Sequence, residues 1–351
     1  MKALESTSRW LLAIVLVTAI PGEARGQQEQ EPLYEGLLDT FKQEYLSLGL
    51  LLQTVADFQF DRTLGGNNGF SVANFRLLLS GELDAGFGYF VATNFADRPA
   101  ILDAMMYYRA TPTVSVAVGQ FKVPFSREFL TYAGSIDFVN RSQAVTALAP
   151  GRQIGARLAI DELADVFGLT IGAFNGNGPT ANGNDNDNFL YALRLSGIVP
   201  IEGDDEQQDA QIELGVNLAH SEDNGLSFGN GLVVAFTGKR TLAGGDIRAE
   251  FKNLLLSGEV IHASLAPEIG VARHPWGFHA TAGVQFSPKV QGLVRWDGFD
   301  PDNPDGRSDW IVLGLNVWPT AVTEIQVNYI IDAEDAAVDH HQLLVNFQLG
   351  F

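Results

Sequence analysis

Four basic residues, Lys122, Arg127, Arg141 and Arg152, stand within residues 119–152 (GQFKVPFSREFLTYAGSIDFVNRSQAVTALAPGR) against only Glu128 and Asp137. This local balance of +2 lies inside a chain whose formal net charge is −20. Guanidinium and ammonium groups are the natural donors for an oxyanion, arginine as a planar charged fork and lysine as a point charge. Their chemistry here is attraction of an anion rather than bond making. The chain has no H-E-x-x-H and no P-loop. His220, His262 and His274 fall near loop ends, with nothing tying them to a nucleophile. No catalytic residue, no metal site and no cofactor is expected. The absence of cysteine excludes thiol, disulfide and cysteine-metal chemistry. Strong acidity argues against a nucleic-acid partner.

The elements that must position these residues have a period of two. In residues 341–351, Leu343, Val345, Phe347, Leu349 and Phe351 fall on one face. Gln342, Asn346, Gln348 and Gly350 fall on the other, with Leu344 the single apolar exception. Residues 321–331, 278–286 and 212–219 alternate in the same way. Strands of about ten residues, apolar on one face and polar on the other, are the signature of a transmembrane β-barrel. The connectors support a barrel over a soluble sandwich. Short ones (SPKV, PTAV, KNLL) alternate with longer acidic or Gly/Asn-rich ones (FNGNGPTANGNDNDN, FDPDNPDGRSD).

The sequence predicts strands over 44–60, 70–80, 86–96, 101–110, 113–122, 151–160, 166–175 and 188–198. It predicts eight more over 210–220, 244–252, 255–264, 275–286, 289–299, 308–318, 321–331 and 339–351. A further apolar run, residues 232–237 (LVVAFT), breaks the even count and is assigned to a long fifth external loop. The fold class is therefore all-β: a transmembrane antiparallel β-barrel of about 16 strands. Residues 123–150 become its third extracellular loop, folded into the lumen as a constriction. Pro124 and Pro150 bracket that loop.

The first residues carry an address. Lys2 and Arg9 precede the apolar run 10–20, and 24–26 (ARG) offers small residues for cleavage. Residues 1–26 read as a Sec-type signal peptide, because eleven apolar residues are too few to span about 30 Å of hydrocarbon. Residues 27–43 read as a short periplasmic lead-in, and 44–351 as the outer-membrane barrel.

The alternation places Arg76, Arg157, Arg194, Arg248 and Arg295 on the lumen face, with Arg109 near a strand end. Lys122, Arg127, Arg141, Arg152 and Arg157 are the candidate constriction residues. Two readings stay open for each arginine. It contacts a permeating anion, or it pairs with a wall acid such as Asp103, Glu213, Glu250, Glu259, Asp297 or Glu324. Phe121, Phe125, Phe129, Tyr132 and Phe138 either pack the loop on the wall or form an apolar slide beside the charges. Trp310, Trp318 and Tyr329 are expected in an interfacial aromatic girdle. Acidic runs 185–188 and 300–305 lack EF-hand spacing.

Residues 119–157, with GLTIGAFNGNG at 168–178, NDNDNFLYALRLSG at 184–197 and IRAEFKNLLLSGEV at 247–260, resemble the phosphate-selective porin O and P family of Gram-negative outer membranes. The resemblance implies a sixteen-stranded, trimeric, anion-preferring channel with an inward third loop. It implies small anions such as phosphate or polyphosphate as solutes, and basic clusters as their contacts. Outer-membrane lipid and lipopolysaccharide are the implied surroundings. Phe351 is the implied signal to the outer-membrane assembly machinery. A general or cation-tolerant porin on the same scaffold, and a plugged structural or receptor barrel, are the alternatives.

Overall fold

The computed structural model describes residues 45–59, 67–96, 98–163, 166–179, 181–201, 210–304, 306–334 and 340–351. The expected signal peptide and lead-in lie outside the described residues. The first eight strands are β1 (Ser47–Gln59), β2 (Gly69–Glu82), β3 (Phe87–Asn94), β4 (Ala100–Thr111), β5 (Val114–Lys122), β6 (Arg152–Leu163), β7 (Phe167–Phe174) and β8 (Leu190–Ile201). The second eight are β9 (Ala210–Phe228), β10 (Val233–Phe251), β11 (Leu254–Pro267), β12 (Trp276–Ser287), β13 (Val290–Asp300), β14 (Ser308–Thr320), β15 (Thr323–Asp332) and β16 (Gln342–Gly350). Each pairs antiparallel with its neighbours in sequence, and β1 pairs with β16, so the sheet closes. Closure leaves no unpaired edge, which a sheet in lipid requires.

Period two does the sorting. On β15, Glu324, Gln326 and Asn328 are buried in the lumen while Ile325, Val327 and Tyr329 alternate with them. On β9, Leu214, Val216 and Leu218 are exposed outward while Asn217 and Ala219 are buried inward. Outward, half-exposed apolar side chains meet lipid, and inward polar ones meet water or one another. Two-residue turns at 112–113, 252–253, 288–289 and 321–322 lie on one rim, the rim that also holds the chain's last residue. There the Phe351 amide and carbonyl bond Leu50 (3.1 and 2.8 Å) and finish the seam.

The strand count stands, but one element is corrected. Residues 232–237 are not loop. They begin β10, which runs nineteen residues and pairs along most of its length with nineteen-residue β9. The fifth external connection is therefore a tight turn around Gly229–Gly231, not a long loop. Glycines at 225, 229, 231 and 238, all at positive φ, broke the period in the sequence while the ladder continued through them. The runs 232–237 and 244–252 are one strand, so sixteen is unchanged.

A second correction concerns Trp310. It is not in the outer girdle but turns inward, against an apolar cluster of Phe138, Leu255, Leu293, Val312, Ile330 and Leu344. Outward aromatics include Trp276, Phe278 and Trp296, the last two edge to face with centroids 5.0 Å apart.

Candidate functional site: the inward loop and its basic cluster

Residues 123–151 join β5 to β6 and lie against lumen side chains of the opposite wall. Two short helices shape the segment: α1 (Arg127–Leu130), capped by Ser126 Oγ on the Phe129 amide, and α2 (Gln143–Leu148), capped by Ser142 Oγ on the Val145 amide. The path into the lumen starts at Gly119. Its φ of 127° belongs to glycine, and an added Cβ would overlap the Ala104 carbonyl on β4. Ser126 holds a left-handed φ of 68° while wholly buried, its amide donating to Asn217 Oδ1 at 3.1 Å. That strained conformation is fixed by its surroundings.

From there the loop is tied around the wall. The Glu128 amide donates to Glu259 on β11 (3.2 Å), and Arg127 Nε to Glu213 on β9 (2.7 Å). Gln53 on β1 donates to the Ala133 carbonyl, Gln348 on β16 to Gly134, Gln326 on β15 to Ile136 and Asn316 on β14 to Asp137. The Val139 amide donates to Asn328, and the Gln143 amide to the Asp297 carboxylate on β13. These inward amides and carboxylates satisfy loop backbone groups that water would otherwise hold. Apolar packing completes the seat. Phe138 covers the inward cluster on β11 and β13–β16. Val123, Phe125, Val145 and Leu148 pack on Phe174, Leu242, Ile261 and Leu265. Among the described residues, no hydrogen bond or ion pair joins the loop to β2, β3, β4, β7 or β8.

The structure sorts the basic residues into two groups. In the first, carboxylates neutralise the charge. Arg194 forks onto Asp246 (2.6 and 2.9 Å), and Arg240 onto Asp223 (2.7 and 3.3 Å). Arg248 bridges Asp137 and Glu250, both at 2.7 Å. Arg295 meets Asp297 at 3.1 Å and Glu128 at 3.4 Å, Arg127 meets Glu213, and Arg109 meets Glu82 at 2.6 Å.

The second group is gathered where the loop faces β2 to β6. Lys122 and Arg152 are direct cross-strand partners at the end of the β5–β6 ladder. Lys122 Nζ donates to the carbonyls of Phe129 (2.6 Å), Leu130 (3.2 Å) and Thr131 (2.9 Å). Arg141 donates to the carbonyls of Glu128 (3.0 Å) and Thr131 (2.7 Å). Arg152 forks onto Asp103 at 3.0 and 3.1 Å. Arg76 on β2 uses Nε on Asn74 (2.8 Å) and lies within electrostatic reach of Arg152, Arg141 and Tyr132. Asp103 is the one carboxylate felt by Lys122 within this group. Arg157 stands apart, its guanidinium over the Phe121 ring at 5.1 Å.

Burial in the loop pushes the Arg141 guanidinium below its ordinary pKa, with Glu128 opposing and Arg152 adding. It nevertheless stays charged. Burial raises the Tyr132 phenol, partly offset by Arg76. For Glu128, burial would raise the carboxyl. The neighbouring His279 and Arg295 and two bonds from Ser142 more than offset it and hold the group below the ordinary glutamate range. Sequence periodicity found Arg76 and the loop cations one by one. It missed Glu128 as the hub of the loop seat, because no periodic signal reports a carboxylate that bonds its own loop.

A closed sixteen-strand barrel, apolar outside and polar inside, with a long loop seated in its lumen, is the architecture of a porin of the outer membrane. Solved structures agree on the fold. An anion-selective porin from Comamonas acidovorans matches with TM-score 0.64 and 13% identity, over 87% of this chain and 99% of that one. OmpT of Vibrio cholerae, in trimer form, matches with TM-score 0.61 and 11% identity, over 87% and 99%. OmpF of Salmonella typhi, in complex with daunomycin, matches with TM-score 0.58 and 10% identity, over 87% and 97%. A search of curated protein sequences gives no match. The sequence profile of the phosphate-selective porin O and P family matches residues 50–237, and the chain belongs to that family.

Proposed function

We propose that this porin passes small anions, and that the loop 123–151 narrows the lumen on the side where Arg76, Lys122, Arg141 and Arg152 meet. One observation carries the reading: three of these four cations, Arg76, Lys122 and Arg152, share a single carboxylate, Asp103, and Arg141 donates to carbonyls, whereas the arginines of the opposite wall are each matched by an acid. A cluster with excess positive charge in a partly dehydrated passage raises the local concentration of anions and repels cations. Spare guanidinium edges of Arg76, Arg141 and Arg152 supply donors suited to an oxyanion, phosphate among them. Arg157 adds a cation deeper along β6. The trimeric state of the Vibrio cholerae neighbour supports a homotrimer here.

The test is the reversal potential of the purified protein in planar bilayers under a salt gradient. An anion-selective sign is expected, reduced by Arg76→Glu or Arg141→Glu. A cation-selective wild type sinks the reading, and absence of conductance assigns the barrel a closed, structural role. Phosphate added to a chloride bath is expected to lower the chloride current if oxyanions dwell at the cluster.

A further inference from the structure

His279 sits inward on β12, and its two direct cross-strand partners are Glu259 on β11 and Asp297 on β13. A third carboxylate reaches it from the loop, with Glu128 Oε2 4.0 Å from His279 Nε2. The ring is 8% exposed, and neither nitrogen has a hydrogen-bond partner among the described residues. Glu259 Oε1 and Arg295 Nε are unpaired in the same place. Arg295 is the one cation in contact with these carboxylates, through Asp297 and Glu128. The remaining charged groups that His279 feels, Arg127 and Asp137 on the loop, are matched by Glu213 and Arg248. Asp246, beside Glu259, is matched by Arg194. A buried imidazole without a hydrogen-bond partner is thus ringed by three acidic side chains and one guanidinium.

Unpartnered polar atoms this deep are costly unless they serve a second state. Imidazole is the side chain whose charge changes in the neutral range. A proton on His279 would make both ring nitrogens donors and set a positive charge among the acidic side chains. Glu128 is also the hub of the loop seat. Its carboxylate accepts from the Ser142 amide (2.9 Å) and hydroxyl (2.7 Å), and its carbonyl accepts from Arg141. A pull on the Glu128 carboxylate is therefore felt at Arg141.

We propose that His279 is a proton-operated positioning residue for the inward loop. Uptake of a proton draws Glu128 onto the ring and tightens the loop against β11–β13. Loss of the proton loosens it.

The chain has no cysteine, so a spin label on Ser135→Cys, an exposed loop position, reports the loop alone. Label mobility in the folded barrel is read from about pH 8 to about pH 5.5, the range that brackets an ordinary histidine. Mobility is expected to fall on acidification in the wild type and to stay flat in His279→Gln. A wild-type label that does not respond, or a His279→Gln protein that keeps the full response, overturns the assignment. Should His279→Gln not assemble, Glu128→Gln is read in its place. It keeps the side-chain shape and removes the charge on the loop, and a response surviving in it overturns the assignment equally. Ion preference is measured separately by reversal potential, so failure of either reading leaves the other standing.

Discussion

The ammonium of Lys122 and the guanidinium of Arg141 donate to the same acceptor, the carbonyl oxygen of Thr131, at 2.9 and 2.7 Å. One cation comes from the end of β5 and the other from the far side of the loop. The carbonyls after α1 act as a bracket that holds two like charges together. Repulsion alone would separate them, and the shared acceptor is what makes a concentrated positive patch mechanically possible.

Replacing Lys122 by Met removes the donor to the Phe129 and Leu130 carbonyls. The cost is about 1–3 kcal/mol, the usual penalty for a buried acceptor left unpaired. Anion preference should fall with it. Because Arg141 shares the Thr131 acceptor, Lys122→Met and Arg141→Gln should be non-additive in a double-mutant cycle, by about 0.5–3 kcal/mol. Thermal unfolding in detergent, together with reversal potentials, checks both effects. Additive losses would show that the two cations act separately.

The Glu128 carboxyl predicts a response in stronger acid. Its folded pKa lies below the ordinary value of about 4.3. A depressed carboxyl stabilises the fold above its unfolded pKa, and the contribution disappears as pH falls through the folded value. In acid the loop should therefore release below the ordinary glutamate range, with Ser142 and Arg295 losing their partner. Conductance titrated downward from pH 5 should show this step in the wild type and lack it in Glu128→Gln.

Asp223 and Arg240 form an ion pair whose side chains are 0% and 2% exposed, with the Phe228 ring 4.9 Å from the guanidinium. Asp223→Ala strands a charge in a dry site and should cost about 3–5 kcal/mol. Asp223→Leu with Arg240→Leu should be far milder, since buried pairs are replaceable by apolar residues of similar size. Heat-induced loss of the folded barrel on gels ranks the three proteins. A mild Asp223→Ala would mean that water reaches the pair.

Phe138 is the cover over inward Leu255, Leu293, Val312, Ile330 and Leu344, and its ring lies 4.5 Å from the Arg295 guanidinium. Phe138→Ala should cost about 3–5 kcal/mol. The loop should loosen, so single-channel conductance rises and larger uncharged solutes enter liposomes faster. Unchanged conductance would separate the loop's packing from the width of the passage.

Much of this fold was legible in residue order, because lipid outside and water inside impose a two-residue period that little else produces. Several of the failures have one cause, the loop. Leu344 broke the alternation of the last strand because it faces inward beneath Phe138. Trp310 read as an interfacial anchor and lies under the same cover. Inward Leu242, Ile261 and Leu265 are apolar for the same reason, since the 123–125 and 145–148 segments sit on them. Residues 232–237 were lost because glycine-rich flanks erased the period around a strand that extends past its neighbours. The basic cluster was visible only in pieces. Lys122 and Arg152 follow from adjacent strands, but Arg76 joins them from β2, at a distance along the chain that no local pattern spans.

The ties from residues 126–143 to β9–β16 and β1 have a consequence for the shape of the whole molecule. A sheet closed into a cylinder resists stretching far better than it resists flattening. A strap bonded across the interior to one arc of wall works like the spoke of a wheel, holding that arc at fixed curvature against lateral pressure from the bilayer. The strands with no hydrogen bond or ion pair to the loop among the described residues, β2 to β4 with β7 and β8, are the part left free to breathe, and they carry Arg76. Membrane tension or thickness would then act on the passage chiefly by moving that flexible side toward or away from a rigid one.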